Sequence, residues 1–274
     1  MRLSFASLAL VFLLLLTTQT VFTRADDKPA SPLSQAHAHN DYLHDRPLYD
    51  ALDHGFNSVE ADVFLVGDKL LVGHTLGETT PDRTLAALYL DPLRQRVRSG
   101  GGQVQPGGGP FRLFIDIKSS AEPTYAALTT LLASYSDMLS QVQDDKFQTC
   151  AINVVISGNR PQATMAAEKK RFAGIDGRLS DLNSDVASHL IPVISDNWKS
   201  HFQWRGAGEI PAEEKQKLRQ WVRQAHADGR QIRFWGTPDT PPMWRVLQDS
   251  GVDMINTDDL PGLEKFLRDN RSNH

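Results

Sequence analysis

The chain has only one cysteine, Cys150, among its 274 residues. A single thiol cannot form an intramolecular disulfide, so a small disulfide-stapled scaffold is excluded. Cys150 precedes a strand-like run at 151–156, and we interpret it as a small core residue rather than a nucleophile. A folded chain of this size needs no staple, because it buries about three quarters of its unfolded surface.

The sequence also lacks a basic tract. Its 29 Lys and Arg residues are balanced by 33 Asp and Glu residues, which gives a formal charge of −4. Without a concentrated positive face, no nucleic-acid partner is expected. No feature of the sequence indicates an oligomeric state.

Long apolar runs are absent except near the N-terminus, where residues 8–16 are apolar. This run follows Arg2 and precedes a polar stretch that ends at Ala25, an arrangement that predicts a secretory signal peptide over residues 1–25. The run is shorter than a membrane span requires. We therefore expect an exported protein, secreted or periplasmic, with no stable membrane insertion after the signal is cleaved.

The remainder is predicted to form a flexible arm at 26–34 and a single domain at 35–274, in which strands and helices alternate. Strands are predicted at 35–39, 58–63, 111–118, 151–157, 172–176, 190–195, 231–235 and 253–257. Helices are predicted at 47–54, 84–98, 125–135, 162–170, 211–227, 241–248 and 260–269, with the weakest helical signal between strands five and six. Eight repeated βα units indicate an α/β fold of the (β/α)₈ TIM-barrel type.

The second and third predicted strands carry acidic residues on one face. Glu60 and Asp62 alternate with apolar residues, and Asp116 is flanked by two isoleucines. In a parallel barrel these faces converge on the interior, where carboxylates repel one another unless a cation or protons neutralise them. This electrostatic problem is the strongest indication of function in the sequence.

Residues at the carboxyl ends of barrel strands form the active site in this fold. The polar and aromatic residues at those positions are His39, Asn40, Glu60, Asp62, His74, Asp116, Lys118, Arg233, Trp235, Asp258 and Asp259. Carboxylate and amide oxygens suit one divalent cation, Ca²⁺ or Mg²⁺. Two histidines nearby indicate acid–base catalysis, while Lys118 and Arg233 complement an anionic substrate and Trp235 packs against its organic part.

Four segments together resemble the phosphatidylinositol-phospholipase-C-like phosphodiesterase superfamily, which includes the glycerophosphodiester phosphodiesterases. They are HNDYL at 39–43, EAD at 60–62, IDIK at 115–118 and NTD at 256–258. The HNDY, SVEADV and VGH segments look most like the branch named for the altered inheritance of mitochondria protein 6.

This resemblance implies a metal-dependent phosphoric diester hydrolase of lipid metabolism that acts on a small glycerophosphodiester- or phospholipid-type substrate. It implies His39 as general base, His74 as general acid and Lys118 as the phosphate contact. It also implies a set of metal ligands, namely Asn40, Glu60, Asp62 and Asp116.

The sequence departs from the glycerophosphodiesterase pattern beside both histidines. Those enzymes have His-Arg-Gly where this chain has His39-Asn40-Asp41, and His-Asp where it has His74-Thr75. A non-catalytic barrel that binds a phosphorylated or lipid ligand therefore remains an alternative. A second alternative is an amidohydrolase-like metal hydrolase, because His37 and His39 have the His-x-His spacing after strand one.

Overall fold

The computed structural model describes residues 31–271. The predicted signal peptide at 1–25 lies outside these residues, as does the first part of the predicted arm. In the described part of that arm, Leu33 is buried and bridges to Phe56, so residues 31–34 pack onto the domain. Within 31–271, no helix combines the length and apolarity needed to cross a membrane.

Eight parallel strands form a closed barrel, which confirms the predicted fold. They are β1 (Ala36–Ala38), β2 (Ser58–Val66), β3 (Phe111–Ile117), β4 (Ile152–Gly158), β5 (Ala173–Gly177), β6 (Val193–Asn197), β7 (Gln231–Trp235) and β8 (Met254–Thr257). Each strand pairs with the next, and β1 pairs with both β2 and β8 to close the ring. We call the carboxyl ends of these strands the mouth and their amino ends the base.

Side chains alternate along each strand because one face of the strand points to the helices and the other to the barrel interior. In β2, Val59, Ala61 and Val63 are fully buried in the main core beneath the helices, while Glu60 and Asp62 face the barrel interior. A smaller apolar cluster fills the interior itself and consists of Phe114, Val155, Val193 and Met254. The barrel is therefore packed between mouth and base rather than open.

Helices cover the outside of the barrel. They are α1 (Tyr49–Asp53), α2 (Asp91–Ser99), α3 (Ala121–Ala133), α4 (Gln162–Ala167), α5 (Trp198–His201), α6 (Ala212–Ala227), α7 (Pro241–Asp249) and α8 (Leu260–Arg271). Between β5 and β6 the connection contains only the 3₁₀ turn Leu179–Asp181, where the helical signal is weakest. Cys150, interpreted as a core residue, is only partly buried.

The predicted helix at 84–98 is two segments rather than one. A π-helical turn at Ala86–Leu90 runs directly into α2, and Pro92 lies in the first turn of α2. Proline is tolerated there because the first backbone N–H groups of a helix have no intrahelical partner. The proline therefore marks the start of α2 and does not break it.

Two short β elements accompany the barrel. Lys69–Val72 pairs antiparallel with the end of β2 and leads to His74. Three strands absent from the prediction form what we call the basal sheet: Gln141–Gln143, Lys146–Gln148 and Lys170–Arg171. Because residues 170–171 pair in this sheet, the helix predicted at 162–170 ends at Ala167.

Candidate functional site

Three carboxylates meet at the mouth of the barrel. Asp62 of β2 is in register with Asp116 of β3, and Glu60 lies two residues earlier on the same face of β2. One oxygen of each of the three side chains lies within 4.8 Å of the others. The sequence thus predicts this cluster correctly, because adjacent parallel strands bring equivalent positions side by side.

The electrostatics of the three carboxylates differ. Burial and the nearby charge of Glu60 raise the pKa of Asp62, and the same two causes raise the pKa of Asp116 to about 6. For Glu60, burial is outweighed by the positive charge of Arg233, whose Nη1 lies 3.0 Å from Glu60 Oε2, so the pKa of Glu60 is held below its ordinary value. The group therefore tends to take up protons at its outer two members unless positive charge is supplied.

The cluster fits a hard divalent cation. Asp62 Oδ1 is buried and has no hydrogen-bond partner among the described residues, although the other oxygen of this carboxylate has three close neighbours. A buried, unpaired carboxylate oxygen is costly unless a cation or proton satisfies it. Glu60, Asp62 and Asp116 together offer the oxygen-only donor set that Ca²⁺ and Mg²⁺ prefer.

A glycine makes room for this cluster. Gly158 ends β4 with φ +67°, and a Cβ atom built there would lie 2.1 Å from Asp116 Oδ1. Any larger residue would displace the carboxylate, in addition to the backbone strain that a positive φ imposes. The position of Asp116 therefore depends on a neighbouring residue that has no side chain.

Lys118 supplies positive charge beside the cluster. Its Nζ lies 3.1 Å from Asp62 Oδ2 and 3.2 Å from Asp116 Oδ1, and its side chain is partly exposed. Burial lowers the pKa of Lys118, but the charges of Asp116 and Asp62 outweigh it and raise the pKa above its ordinary value. The structure thus places the predicted phosphate contact at the mouth, next to the carboxylates.

His74 reaches the cluster at the end of the hairpin that follows β2. Its Nδ1 lies 3.1 Å from Asp62 Oδ2 and 3.1 Å from the hydroxyl of Tyr42, and more than half of the side chain is exposed. The Tyr42 hydroxyl donates to Asp62 Oδ2 at 2.7 Å and also lies 2.9 Å from Asn40 Oδ1. Tyr42 therefore links the predicted acid, a carboxylate and the predicted amide ligand.

His39 directly follows β1 at the mouth and forms a pair with Asp258. Its Nδ1 is 2.9 Å from Asp258 Oδ1, to which Asn40 Nδ2 also donates at 3.3 Å. Burial lowers the pKa of His39, but the hydrogen bond to Asp258 and the charge of Glu60 reverse this and raise it. With Nδ1 directed to Asp258, Nε2 is the ring nitrogen available for proton transfer.

Arg233 is not placed where the sequence predicts a substrate contact. It is only 3% exposed and lies deeper in the barrel, where its Nη1 donates to Glu60 Oε2 at 3.0 Å and its Nη2 to Asp176 Oδ2 at 3.3 Å. Its Nε donates to the Ser195 hydroxyl at 2.8 Å. Arg233 therefore holds carboxylates from below, because facing inward on β7 does not by itself bring a side chain to the mouth.

His37 belongs to the same interior layer. Its Nδ1 lies 2.7 Å from Ser58 Oγ, and Arg233 Nη1 donates to its Nε2 at 2.8 Å. Since arginine only donates, Nε2 is unprotonated and its 3.4 Å approach to Glu60 is not an ion pair. Burial lowers the pKa of His37 to about 4. This argues against the His-x-His metal site, since neither nitrogen of His37 is free.

Trp235 and Asp176 lie near the carboxyl ends of β7 and β5. Trp235 is the last residue of β7 and is exposed, as expected for a residue that packs against a ligand. Asp176, at the end of β5, is fully buried and accepts hydrogen bonds from Ser157, Ser195, Arg178 and Arg233.

Sequence reasoning missed Asp176, Tyr42 and Gly158. The rule that selects Asp116, an inward acidic residue near the end of a barrel strand, applies equally to Asp176. Tyr42 lies in the 3₁₀ turn Asp41–Leu43, whose geometry brings its hydroxyl back to the mouth and has no signal in strand periodicity. Gly158 follows a predicted strand, but only the structure shows its contact with Asp116.

Comparison with known proteins identifies similar sequences and folds. Residues 28–105 match the model of the AIM6-like phosphodiesterase domain, a segment that contains both candidate catalytic histidines. The chain is 31% identical to altered inheritance of mitochondria protein 6 from Eremothecium gossypii, over 85% of this chain and 69% of that protein. It is 28% identical to the homolog from Arthroderma benhamiae, over 84% of this chain and 83% of that protein.

Two solved structures share the fold. The glycerophosphodiester phosphodiesterase from Parabacteroides distasonis matches with a TM-score of 0.51 and 14% identity, over 88% of this chain and 100% of that one. The glycerophosphodiester phosphodiesterase from Agrobacterium tumefaciens matches with a TM-score of 0.51 and 17% identity, over 85% and 100%. This chain is therefore a member of the altered inheritance of mitochondria protein 6 family, with a phosphodiesterase-like domain built on a TIM barrel.

Proposed function

We propose that the chain is an exported, metal-dependent phosphodiesterase that acts on a glycerophosphodiester- or phospholipid-type substrate. The observation that carries this proposal is the carboxylate cluster at the mouth, with its unpaired Asp62 oxygen and with His74 in contact with Asp62. The family and the fold of the two solved phosphodiesterases support the same reaction class. Export rests on the sequence of residues 1–25 alone.

Glu60, Asp62 and Asp116, with the amide of Asn40 beside them, would hold one Ca²⁺ or Mg²⁺ ion. When bound, such an ion stabilises negative charge on the phosphate oxygens. The ammonium of Lys118 adds positive charge at the same place, since it already lies within 3.2 Å of two of the carboxylates. These groups bind and orient the phosphodiester.

The two histidines divide the proton transfers. His39 Nε2 takes the proton of the attacking hydroxyl, either water or a hydroxyl of the substrate, and the resulting imidazolium is stabilised by Asp258 at 2.9 Å. As the new phosphorus–oxygen bond forms, the bond to the leaving alcohol breaks and His74 donates a proton to that oxygen. Asp62 and Tyr42 orient His74 through its Nδ1.

The test is hydrolysis of bis(p-nitrophenyl) phosphate and of a panel of glycerophosphodiesters and lysophospholipids, with Ca²⁺, with Mg²⁺ and after chelation. Asp62→Asn keeps the shape of the side chain but removes its charge, and we expect a loss of about 10²–10³ in kcat. The matched control is Asp269→Asn, which removes a carboxylate from an exposed surface pair with Lys265. The control should retain full activity.

Metal-dependent turnover that Asp62→Asn abolishes and Asp269→Asn retains would support the proposal, and the panel would identify the leaving group. Turnover that is unaffected by chelation and by Asp62→Asn would overturn the metal site. A folded protein that binds the cation but turns over nothing in the panel would favour the non-catalytic binding barrel.

A further inference from the structure

A cavity lies at the base of the barrel, at the opposite end from the carboxylate cluster. It has a volume of about 400 Å³. Its inner wall is formed by the first or second residue of five consecutive barrel strands, namely Arg112, Asn153, Gly174, Val193 and Gln231. A cavity of this size falls within the range of small-molecule binding sites.

The basal sheet forms the outer wall of this cavity. Val142 on its central strand is in register with Phe147 on one side and with Arg171 on the other. Paired residues on neighbouring strands project from the same face of a sheet. All three residues line the cavity, so the connections from α3 to β4 and from α4 to β5 together place one face of a sheet across the base.

Two arginines in the wall have unpaired donors. Arg171 is 3% exposed; its Nη2 lies 2.5 Å from His189 Nδ1, and its Nε has no hydrogen-bond partner among the described residues. Arg112 Nε donates to Gln231 Oε1 at 2.7 Å. Arg112 Nη1 is buried and has no hydrogen-bond partner among residues 31–271. Within 31–271 neither guanidinium forms a salt bridge, and no Asp or Glu lines the cavity.

Guanidinium groups with buried, unpaired donors require an explanation, because desolvation of a charge is costly when its hydration is only partly replaced. Burial lowers the pKa of both Arg112 and Arg171, and it outweighs the more distant negative charges, Asp253 for Arg112 and Asp145 and Glu168 for Arg171. Two other buried arginines have acceptors for their guanidinium groups: Arg233 is neutralised by two carboxylates, and Arg230 donates to backbone carbonyl oxygens. The base therefore contains donors of the kind that carboxylate and phosphate groups satisfy with paired hydrogen bonds.

Apolar side chains form another part of the lining, beside the neutral polar residues Ser140, Gln141, Asn153, Ser188 and Gln231 and the imidazole of His189. Val142, Val154 and Phe172 are buried in the wall, and Phe147 is 49% exposed on the outer strand of the basal sheet. An exposed phenylalanine beside a cavity offers a surface for an apolar group. We propose that this cavity binds a small amphipathic anion, with its carboxylate or phosphate group on Arg112 and Arg171 and its apolar chain against Phe147 and its neighbours.

This site is independent of the proposed reaction, because the interior cluster of Phe114, Val155, Val193 and Met254 lies between it and the mouth. Binding is tested by isothermal titration calorimetry of the purified protein in the presence of a chelator, which removes metal-dependent binding at the mouth. The probes are octanoate, octyl phosphate, octanol and inorganic phosphate. We expect one equivalent of octanoate or octyl phosphate to bind, and the tighter of the two identifies the anionic group.

Three variants locate the binding. Arg171→Gln and Arg112→Gln should each weaken binding about tenfold or more, because each removes one charged partner of the anion. Lys146→Gln, which removes an exposed charge next to Phe147 but outside the cavity, should bind as the wild type does. Octanol and inorganic phosphate should bind at least tenfold more weakly than the amphipathic probes.

Phe147→Asp tests the apolar part and does not depend on the folding of the arginine variants, since this residue is exposed. It should weaken binding of the amphipathic anions about tenfold, because it replaces the apolar contact with a like charge. The proposal is overturned if the wild type binds none of the four probes, or if the two arginine variants and Phe147→Asp all bind as tightly as Lys146→Gln.

Discussion

The two ends of the barrel collect opposite charges. At the mouth, Glu60, Asp62 and Asp116 lie within 4.8 Å of one another, whereas at the base Arg112 and Arg171 line one cavity without a carboxylate. An apolar cluster in the interior separates the two groups. A single closed sheet thus carries three clustered carboxylates at one end and two arginines around a cavity at the other.

The ends also differ in how far the chain compensates its own charges. At the mouth, Lys118, Tyr42 and His74 all contact Asp62, and only one carboxylate oxygen of that residue lacks a partner. At the base, the described residues provide the buried guanidinium of Arg171 with one histidine contact and no anion. At both ends, a buried polar group without a partner, rather than charge alone, therefore indicates where a ligand could bind.

The largest difference should appear when the same substitution, histidine to alanine, is made at each end of the barrel. His39 pairs with Asp258 at the mouth at 2.9 Å, and His226 pairs with Asp253 near the base at 2.8 Å. We expect His39→Ala to lower kcat by about 10²–10⁴, because it removes the general base. His226→Ala breaks a chemically similar pair but should leave kcat within about twofold.

Steady-state kinetics with the best substrate of the panel measures both values. A pH profile of kcat adds a second readout, since the acidic limb assigned to His39 should disappear in His39→Ala and persist in His226→Ala. Equal losses in the two variants would show that the histidine at the mouth has no special role.

The next effect compares a paired buried arginine with an unpaired one. Arg233→Met should lower the free energy of unfolding by about 3–5 kcal/mol, because it leaves the buried carboxylates of Glu60 and Asp176 uncompensated. Arg112→Met removes a guanidinium that has no anionic partner in the described chain, so it should change stability by less than about 1 kcal/mol. Urea denaturation measures both, and equal destabilisation would contradict the assignment of Arg112 as unpaired.

Much of this architecture is predictable from the sequence, for a physical reason. Eight strands are recognisable because each alternates between the interior and the helix layer, and that alternation also assigns Glu60, Asp62 and Asp116 to one side. Register between adjacent parallel strands then brings Asp62 beside Asp116. The carboxylate cluster at the mouth is therefore predictable from the period-two alternation within each strand.

Depth and insertions are less predictable. Alternation shows that Arg233 faces inward, but its position relative to Glu60 depends on the stagger of β7 against β2 across the barrel, which no local pattern records. The strands of the basal sheet have two or three residues each, too few to establish a period. No sequence pattern therefore predicts the cavity at the base.

A smaller effect should separate backbone strain from crowding at the mouth. Gly158 and Gly109 both have φ +67°, but a Cβ atom at Gly158 would lie 2.1 Å from Asp116 Oδ1, whereas at Gly109 nothing lies within 4 Å. Alanine at either position should cost about 1–2 kcal/mol of stability through the left-handed backbone. Only Gly158→Ala should also lower the affinity for Ca²⁺ or Mg²⁺, by about 10–100-fold, because it displaces Asp116.

Calorimetric titration with each cation, together with urea denaturation, distinguishes the two contributions. Equal cation affinities in Gly158→Ala and Gly109→Ala would mean that Asp116 is not a ligand. A loss of affinity only in Gly158→Ala would locate the ion beside β3 and β4 without any change to a carboxylate.

The last effect concerns pH and is small for each pH unit, and it should arise at the mouth rather than at the base. Asp41 follows Asn40 and is fully buried, with Oδ2 accepting hydrogen bonds from Leu48 N at 2.6 Å and the Tyr89 hydroxyl at 2.9 Å. Burial raises the pKa of Asp41 from 3.8 to about 7. Between these values the native state keeps a proton that the unfolded state has released, so stability must fall as pH rises.

The expected slope from this one group is a loss of about 1.4 kcal/mol of unfolding free energy per pH unit at most, between about pH 4 and 7. Asp41→Asn keeps an acceptor for Leu48 and Tyr89 but cannot ionise, so it should flatten the curve by that amount. The arginines at the base stay charged throughout this range and should leave it unchanged when substituted. Urea denaturation across the pH range measures the slope, and an Asp41→Asn protein with the slope of the wild type would show that Asp41 is already ionised in the native state. The loop that carries His39 and Asn40 would then be held by a buried negative charge.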